Sequence, residues 1–354
     1  MTINNDRSKI NHKTVKHKSI ITRIFKYFLI LIGSMTLLIL SFGAWIYFSL
    51  FAGPGPMEIS DFHPFKSEKA KAAYFSFENK IAKNWPIISE EKSVTTSFGK
   101  TFMRINGPSD APPLVLLPGG GKCSLIWREN IKALSEEYRT YALDNIYDFG
   151  RSIYTRKIEN GQEFSYWLNE LFDTLRIANK VRIIGYSYGG WITSQYALNY
   201  SERVSHVVLI APAWTVLAFP GNFVLSIIPS LLPIRYFKEK AIHSSWKDLS
   251  LSGDRGKQIV EDEIDYLEIA MNCFKIKQGV LPTVLSDSEL RQLEMPVLYL
   301  VGENETIYSG IEAINRLNTV APEIETELIK GTGHDLMFTH TDIINRSILD
   351  FLKK

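Results

Sequence analysis

At 354 residues the chain is long enough for one elaborated domain or two ordinary ones, with a sizeable core and no need of disulfides or metal. Hydrophobic residues at 45% and charged residues at 22% exclude wholesale disorder and collagen-like order. The formal net charge of +2, from 40 Lys and Arg against 38 Asp and Glu, argues against a dedicated nucleic-acid binder.

That average conceals a split. Residues 1–26 carry Arg7, Lys9, Lys13, Lys16, Lys18, Arg23 and Lys26 against Asp6 alone, a net +6 that leaves −4 for the remainder. From Tyr27 to Met57 there is no Asp, Glu, Lys, Arg or His. This exceeds the ~20 residues that a bilayer-crossing helix needs. Trp45, Tyr47 and Phe48 lie toward its far end, where amphipathic aromatics favour the interface, and Gly53-Pro54-Gly55-Pro56 stops a helix. A cleaved leader has a shorter apolar region, ~7–15 residues, and a small-residue cleavage site that Leu50-Phe51-Ala52 fits poorly. The expectation is a basic cytoplasmic arm at 1–26 and a single transmembrane helix at 27–53, with all that follows outside the cytoplasm. A topology signal accounts for the basic residues, and no nucleic-acid partner is expected.

Residues 54–92 read as a linker with amphipathic helical character around Ser67–Trp85. Val94–Phe98 and Lys100–Ile105, on either side of Gly99, form a hairpin signal. Leu114–Leu117 is a buried-strand pattern that ends in Pro118-Gly119-Gly120-Gly121. A helix at Ser124–Tyr138, a strand at Arg139–Leu143, a helix at Glu163–Ala178 and a strand at Val181–Ile184 follow. A helix at Gly190–Tyr200 then leads to a strand at Val207–Ile210. Such alternation with apolar strands predicts an α/β fold around a mostly parallel sheet flanked by helices, with a first part at 93–213. Residues 214–294 break the alternation with apolar helical stretches punctuated by Pro220, Pro229, Pro233 and Pro282, and read as an inserted helical cap. The second part, 295–354, resumes with Pro296–Val301, a helix at Gly310–Leu317, a strand at Thr326–Ile329 and a helix at Asp342–Leu352. Cys123 and Cys273 lack metal-ligand spacing; a disulfide between them cannot be inferred, and both read as buried small hydrophobes.

The strongest chemical signal is Gly185-Tyr186-Ser187-Tyr188-Gly189-Gly190, after an apolar strand and at the start of a helix. A serine hydroxyl becomes a useful nucleophile only when it is exposed, oriented and given a base. A sharp strand-to-helix turn exposes it, and small residues two before and two after permit that turn. The base should be a late histidine. His334, in Gly331-Thr332-Gly333-His334 after the last strand, is the candidate, with His340 as its rival. The acid that orients it should leave a strand between nucleophile and base. Gly302-Glu303-Asn304-Glu305 supplies two, of which Glu305 reaches further and Glu303 is the alternative. Asp335 sits too close to His334 to turn back on its ring and reads as a loop or capping carboxylate. Donors for a developing oxyanion are the N–H of Tyr188, next after the nucleophile, and one from the triple-glycine loop, with Gly120 the natural choice. No Gly-Lys-Ser/Thr follows those glycines, which removes a nucleotide-cradle reading.

Taken together, Leu116–Gly121 with Trp127, Asp144–Ser152, Gly185–Gly190, Pro296–Tyr308 and Gly331–His334 resemble the α/β-hydrolase superfamily, specifically its bacterial carboxylesterase-like group. The resemblance runs from about His63 to the C-terminus. It implies Ser187, Glu305 and His334 as a catalytic triad and Gly120 and Tyr188 as the oxyanion hole. It also implies ester hydrolysis through an acyl-serine, without metal or organic cofactor. The group usually has His where Pro118 stands, a residue that packs the loop, and the soluble relatives lack a membrane span. Apolar residues of the cap, among them Trp214, Leu217, Phe219 and Phe223, suit a small-molecule ester with an apolar part. The same triad could serve an acyltransferase, a C–C or peroxide-forming hydrolase or a peptidase. A binding protein on a hydrolase scaffold is the non-enzymatic alternative.

Overall fold

In the computed structural model, nine strands among the described residues make one mixed sheet, β1 (Glu90–Thr96), β2 (Gly99–Asn106), β3 (Pro113–Leu117), β4 (Arg139–Leu143), β5 (Ile153–Tyr154), β6 (Val181–Tyr186), β7 (Val204–Ile210), β8 (Val297–Gly302) and β9 (Glu325–Ile329). Residues 26–37, 41, 64–177, 180–221, 228–231, 234–275, 277 and 279–354 are described. The spatial order is β1-β2-β4-β3-β6-β7-β8-β9, with β5 beside β2. The β1–β2, β2–β4 and β2–β5 pairs are antiparallel, and every pair from β4–β3 to β8–β9 is parallel.

The strands bury both faces because successive side chains alternate. Val115, Leu117, Ile183, Val207, Leu209, Tyr299 and Val301 enter one core. Leu114, Leu116, Ile184, Tyr186, Val208, Ile210, Leu298 and Leu300 enter the other. The first core is covered by α3 (Gly161–Thr174), α4 (Tyr188–Asn199) and α9 (Gly310–Val320). The second is covered by α2 (Ile131–Glu137), α10 (Leu336–Thr339) and α11 (Thr341–Leu352).

Two details differ from the sequence pattern. The helix expected at Ser124–Tyr138 is a 3-10 turn, Ser124–Glu129, followed by α2, with a break at buried Asn130 whose amide donates to Asn345 Oδ1 at 2.9 Å. The hydrophobic spacing is common to both forms, so periodicity could not see the break. Strand β5 is two residues long, too short to leave any periodic signal.

Between β7 and β8 lie α5 (Arg235–Ser245), α6 (Lys247–Leu251), α7 (Asp254–Cys273) and α8 (Asp287–Arg291), within the span expected as a cap. The linker helix α1 (Glu68–Ala82) packs on α7 through Phe65, Tyr74, Tyr266 and Phe274. It is also tied to the sheet by charge. Buried Glu78 pairs with Arg104 at 3.0 Å and with Arg151, and Arg104 reaches Glu91 at 3.1 Å. Burial, opposed by the two arginines, still leaves the Glu78 carboxyl raised above its usual range. Cys123 and Cys273 are free, buried thiols.

The chain divides into two units, Met1–Met57 with Lys277–Gly279, and Glu58–Ile276 with Val280–Lys354. In the first, residues 26–37 are helical and expose apolar side chains such as Tyr27, Phe28, Leu31 and Leu37. Most of the arm at 1–26, and 38–40 and 42–53 of the expected membrane span, lie outside the described residues. Among those described, no helix is long and apolar enough to cross a membrane.

Candidate active site

Strand β6 ends at Tyr186 and α4 begins at Tyr188, so Ser187 alone makes the turn, at φ 50° and ψ −116°. A non-glycine residue with positive φ costs about 1–3 kcal/mol and persists only where its surroundings enforce it. Here Ser187 N–H donates to Ile210 O at 2.9 Å, and Ser187 O accepts from Ala213 N–H at 3.0 Å. The flanking glycines are needed because the chain crosses itself. A Cβ on Gly185 would lie 2.3 Å from Gly189 O, and one on Gly189 would lie 2.4 Å from Leu117 O and 2.5 Å from Pro118 O. Ser187 is half-buried at the carboxyl edge of the sheet.

The loops after β8 and β9 are laced together. Glu303 N–H donates to Ile329 O and Asn304 N–H to Thr332 O, both at 2.8 Å. This brings Glu305 Oε2 to 2.9 Å from His334 Nδ1, with the carboxylate side chain wholly shielded and the imidazole 6% exposed. A carboxylate can only accept, so Nδ1 carries the hydrogen of this bond and Nε2 is the nitrogen left for other partners. The other oxygen, Oε1, accepts from Ile307 N–H at 3.0 Å. Glu303 is exposed and accepts from Gly331 N–H, away from the imidazole. His340 contacts Thr339 Oγ1 through Nδ1. Asp335 accepts from Leu249 N–H at 2.7 Å and from Thr332 Oγ1 and Gly333 N–H, and burial raises its carboxyl. It therefore braces the histidine loop against α6.

Tyr186 is a residue that sequence reasoning missed. Its hydroxyl donates to His334 O at 2.9 Å, and its ring lies 5.2 Å from the imidazole. Burial, with Glu305 and Asp335 nearby, pushes the phenol well above its usual range, so it stays a donor. A tyrosine before the serine carries no periodic or motif signal, and only the fold shows its role.

The triple-glycine loop lies against the elbow. A Cβ on Gly119 would sit 3.4 Å from Ser187 Cβ, and one on Gly120 would sit 3.4 Å from Tyr188 Cβ. Tyr188 is the first residue of α4, so its N–H has no intrahelical acceptor. Gly121 N–H is taken by Asp148 Oδ2 at 2.9 Å, whereas that of Gly120, which is exposed, donates to no acceptor among the described residues.

Residues 112–229 match the family model for the alpha/beta hydrolase fold. Carboxylesterase YbfK of Bacillus subtilis is 32% identical over 299 residues, which cover 83% of this chain and 98% of that protein. The chain belongs to the α/β-hydrolase family. Among solved structures, naproxen esterase (carboxylesterase NP) from Bacillus subtilis superposes on this hydrolase with a TM-score of 0.73 at 30% identity, covering 83% of this chain and 99% of that one. Carboxylesterase CesB (YbfK) from the same organism gives 0.71 at 30% identity, covering 80% and 98%. The protein is thus a hydrolase of the carboxylesterase-like group.

Proposed function

We propose that this hydrolase is a membrane-anchored serine carboxylesterase with Ser187 as nucleophile, His334 as general base and acid, and Glu305 as the group that holds the imidazole. His334 Nε2 takes the Ser187 proton as Oγ attacks the ester carbonyl, and Glu305 stabilises the imidazolium that results. The tetrahedral oxyanion rests against the N–H groups of Tyr188 and Gly120, and the positive end of α4 favours its charge. The imidazolium protonates the leaving alcohol. Water, activated by the same nitrogen, then releases the acid from the acyl-serine. These steps call on no metal or organic cofactor.

The observation that carries this reading is the strained Ser187 at the head of α4, a costly conformation held in place by its hydrogen bonds to Ile210 and Ala213. A fluorophosphonate probe should label the wild type and not Ser187→Ala; equal labelling of both sinks the assignment. An apolar substrate part is supported by the half-buried Trp214 and Phe219, whose rings stack 4.4 Å apart where the chain leaves β7. Rates across a series of ester chain lengths test it, and a preference for acetyl esters counts against it.

The membrane anchor at 27–53 and the extracytoplasmic placement of the hydrolase rest on the uncharged stretch and the basic arm before it. Within helix 26–37, Ser34 and Thr36 donate their hydroxyls to the carbonyls of Leu31 and Ile32 at 2.9 Å, which satisfies both hydroxyls without water. Protease added to intact spheroplasts should trim the hydrolase. Protection until lysis reverses the orientation.

A further inference from the structure

Gly120 sits in a four-residue turn that Lys122 closes. Lys122 N–H donates to Gly119 O at 3.2 Å, and Gly121, the third residue, has φ 67°, which a glycine adopts without strain. Pro118 has no polar side chain, so it cannot hold this turn by hydrogen bonding, and two other residues do. On one flank the Asp148 carboxylate accepts from Gly121 N–H. On the other, Lys122 Nζ lies 2.6 Å from Glu263 Oε2, with the two side chains only 12% and 11% exposed, and 4.8 Å from the centre of the Trp246 ring. Glu263 belongs to α7 and Trp246 to the junction of α5 and α6, both within the insertion between β7 and β8. Trp246 also packs on Phe338 of α10, four residues past His334, with ring centres 4.8 Å apart.

We infer that Lys122 and Glu263 are positioning residues that fix the Gly119–Lys122 turn against Ser187, so that the inserted helices govern the oxyanion hole. The inference rests on the assignment of Gly120 as an oxyanion donor. Lys122 is the last residue of the turn and its side chain is bonded to the insertion, so any shift of α7 is carried to Gly120 N–H. That donor matters most when the carbonyl oxygen becomes charged, and a misplacement of about 1 Å costs on the order of 100-fold in rate. Loss of the brace should therefore lower kcat and spare KM.

The test uses the full-length protein and a short p-nitrophenyl ester. Lys122→Met and Glu263→Gln should each lower kcat by roughly 10- to 100-fold, with KM within about twofold of wild type. The double variant should fall no further than the worse single one, because both remove the same contact. Lys122→Arg, which keeps the charge, should recover most of the rate. Melting temperatures, measured on each, separate a lost brace from a lost fold. The inference is overturned if kcat stays within twofold in both single variants, if their losses multiply, or if Lys122→Arg is as slow as Lys122→Met. A wild type inert toward esters and toward the fluorophosphonate overturns the esterase reading and this inference with it. An active wild type with unaffected variants overturns the inference alone.

Discussion

Replacing Glu305 by Gln keeps the shape of the side chain and removes its charge, which isolates what the carboxylate does for His334. The carboxylate is wholly shielded and 2.9 Å from Nδ1, so solvent screens the pair little. At about 4 Å between charge centres and an effective dielectric of about 20, its attraction for the imidazolium is about 4 kcal/mol. That attraction exists only once the imidazole has taken the serine proton, so it acts on the transition state and not on bound ester. A loss of this size lowers kcat by roughly 1,000-fold. The amide can also present its NH2 to Nδ1 and favour the wrong tautomer, which adds to the loss. The assay is steady-state hydrolysis of a p-nitrophenyl ester beside the melting temperature, with Glu303→Gln as companion. Exposed Glu303 accepts one backbone N–H and should leave kcat within about threefold. The reasoning is refuted if Glu305→Gln retains more than a tenth of wild-type kcat, or if Glu303→Gln is the slower of the two.

Gly189→Ala should unfold or strongly destabilise the protein, by about 3 kcal/mol or more, because its methyl group would meet the backbone oxygens of Leu117 and Pro118; denaturant midpoints check it. Arg104→Met strips Glu78 of a partner inside the protein and should cost about 3–5 kcal/mol, read as a Tm lower by roughly 10 °C. Adding Glu78→Gln to that variant should restore part of the loss. Asp335 has a folded pKa raised by burial, so the folded state holds its proton more tightly than the unfolded one. Its contribution is therefore fully present below the unfolded value of about 3.9 and is lost as pH rises through the raised folded value. Stability measured against pH in Asp335→Asn should lack that decline, and an unchanged slope counts against it.

The elements that could be read from the sequence are those with a local cause. Strand–helix alternation from Leu114 to Ile210 follows from apolar runs bounded by glycine and proline, and the strand positions in the structure agree within a few residues. The Ser187 turn was legible because Gly185 and Gly189 are the residues such a crossing demands, and no other pair would fit. Where two residues of one type stood close together, the sequence could only rank them. Glu303 and Glu305 both follow β8, and what separates them is that the laced loops leave one carboxylate in solvent and carry the other to the imidazole.

What the sequence by itself determined is the class of architecture and the order of its chemical parts, since period-two burial, glycine-enforced turns and an uncharged apolar stretch are properties of neighbouring residues. What only the tertiary structure decided is which groups meet. Glu78 with Arg104, Tyr186 with the His334 carbonyl and Lys122 with Glu263 lie 26, 148 and 141 residues apart. None of these pairs has a spacing to detect. Each exists because the sheet order brings distant loops to one edge, where burial then makes an unpaired polar group too costly to leave alone.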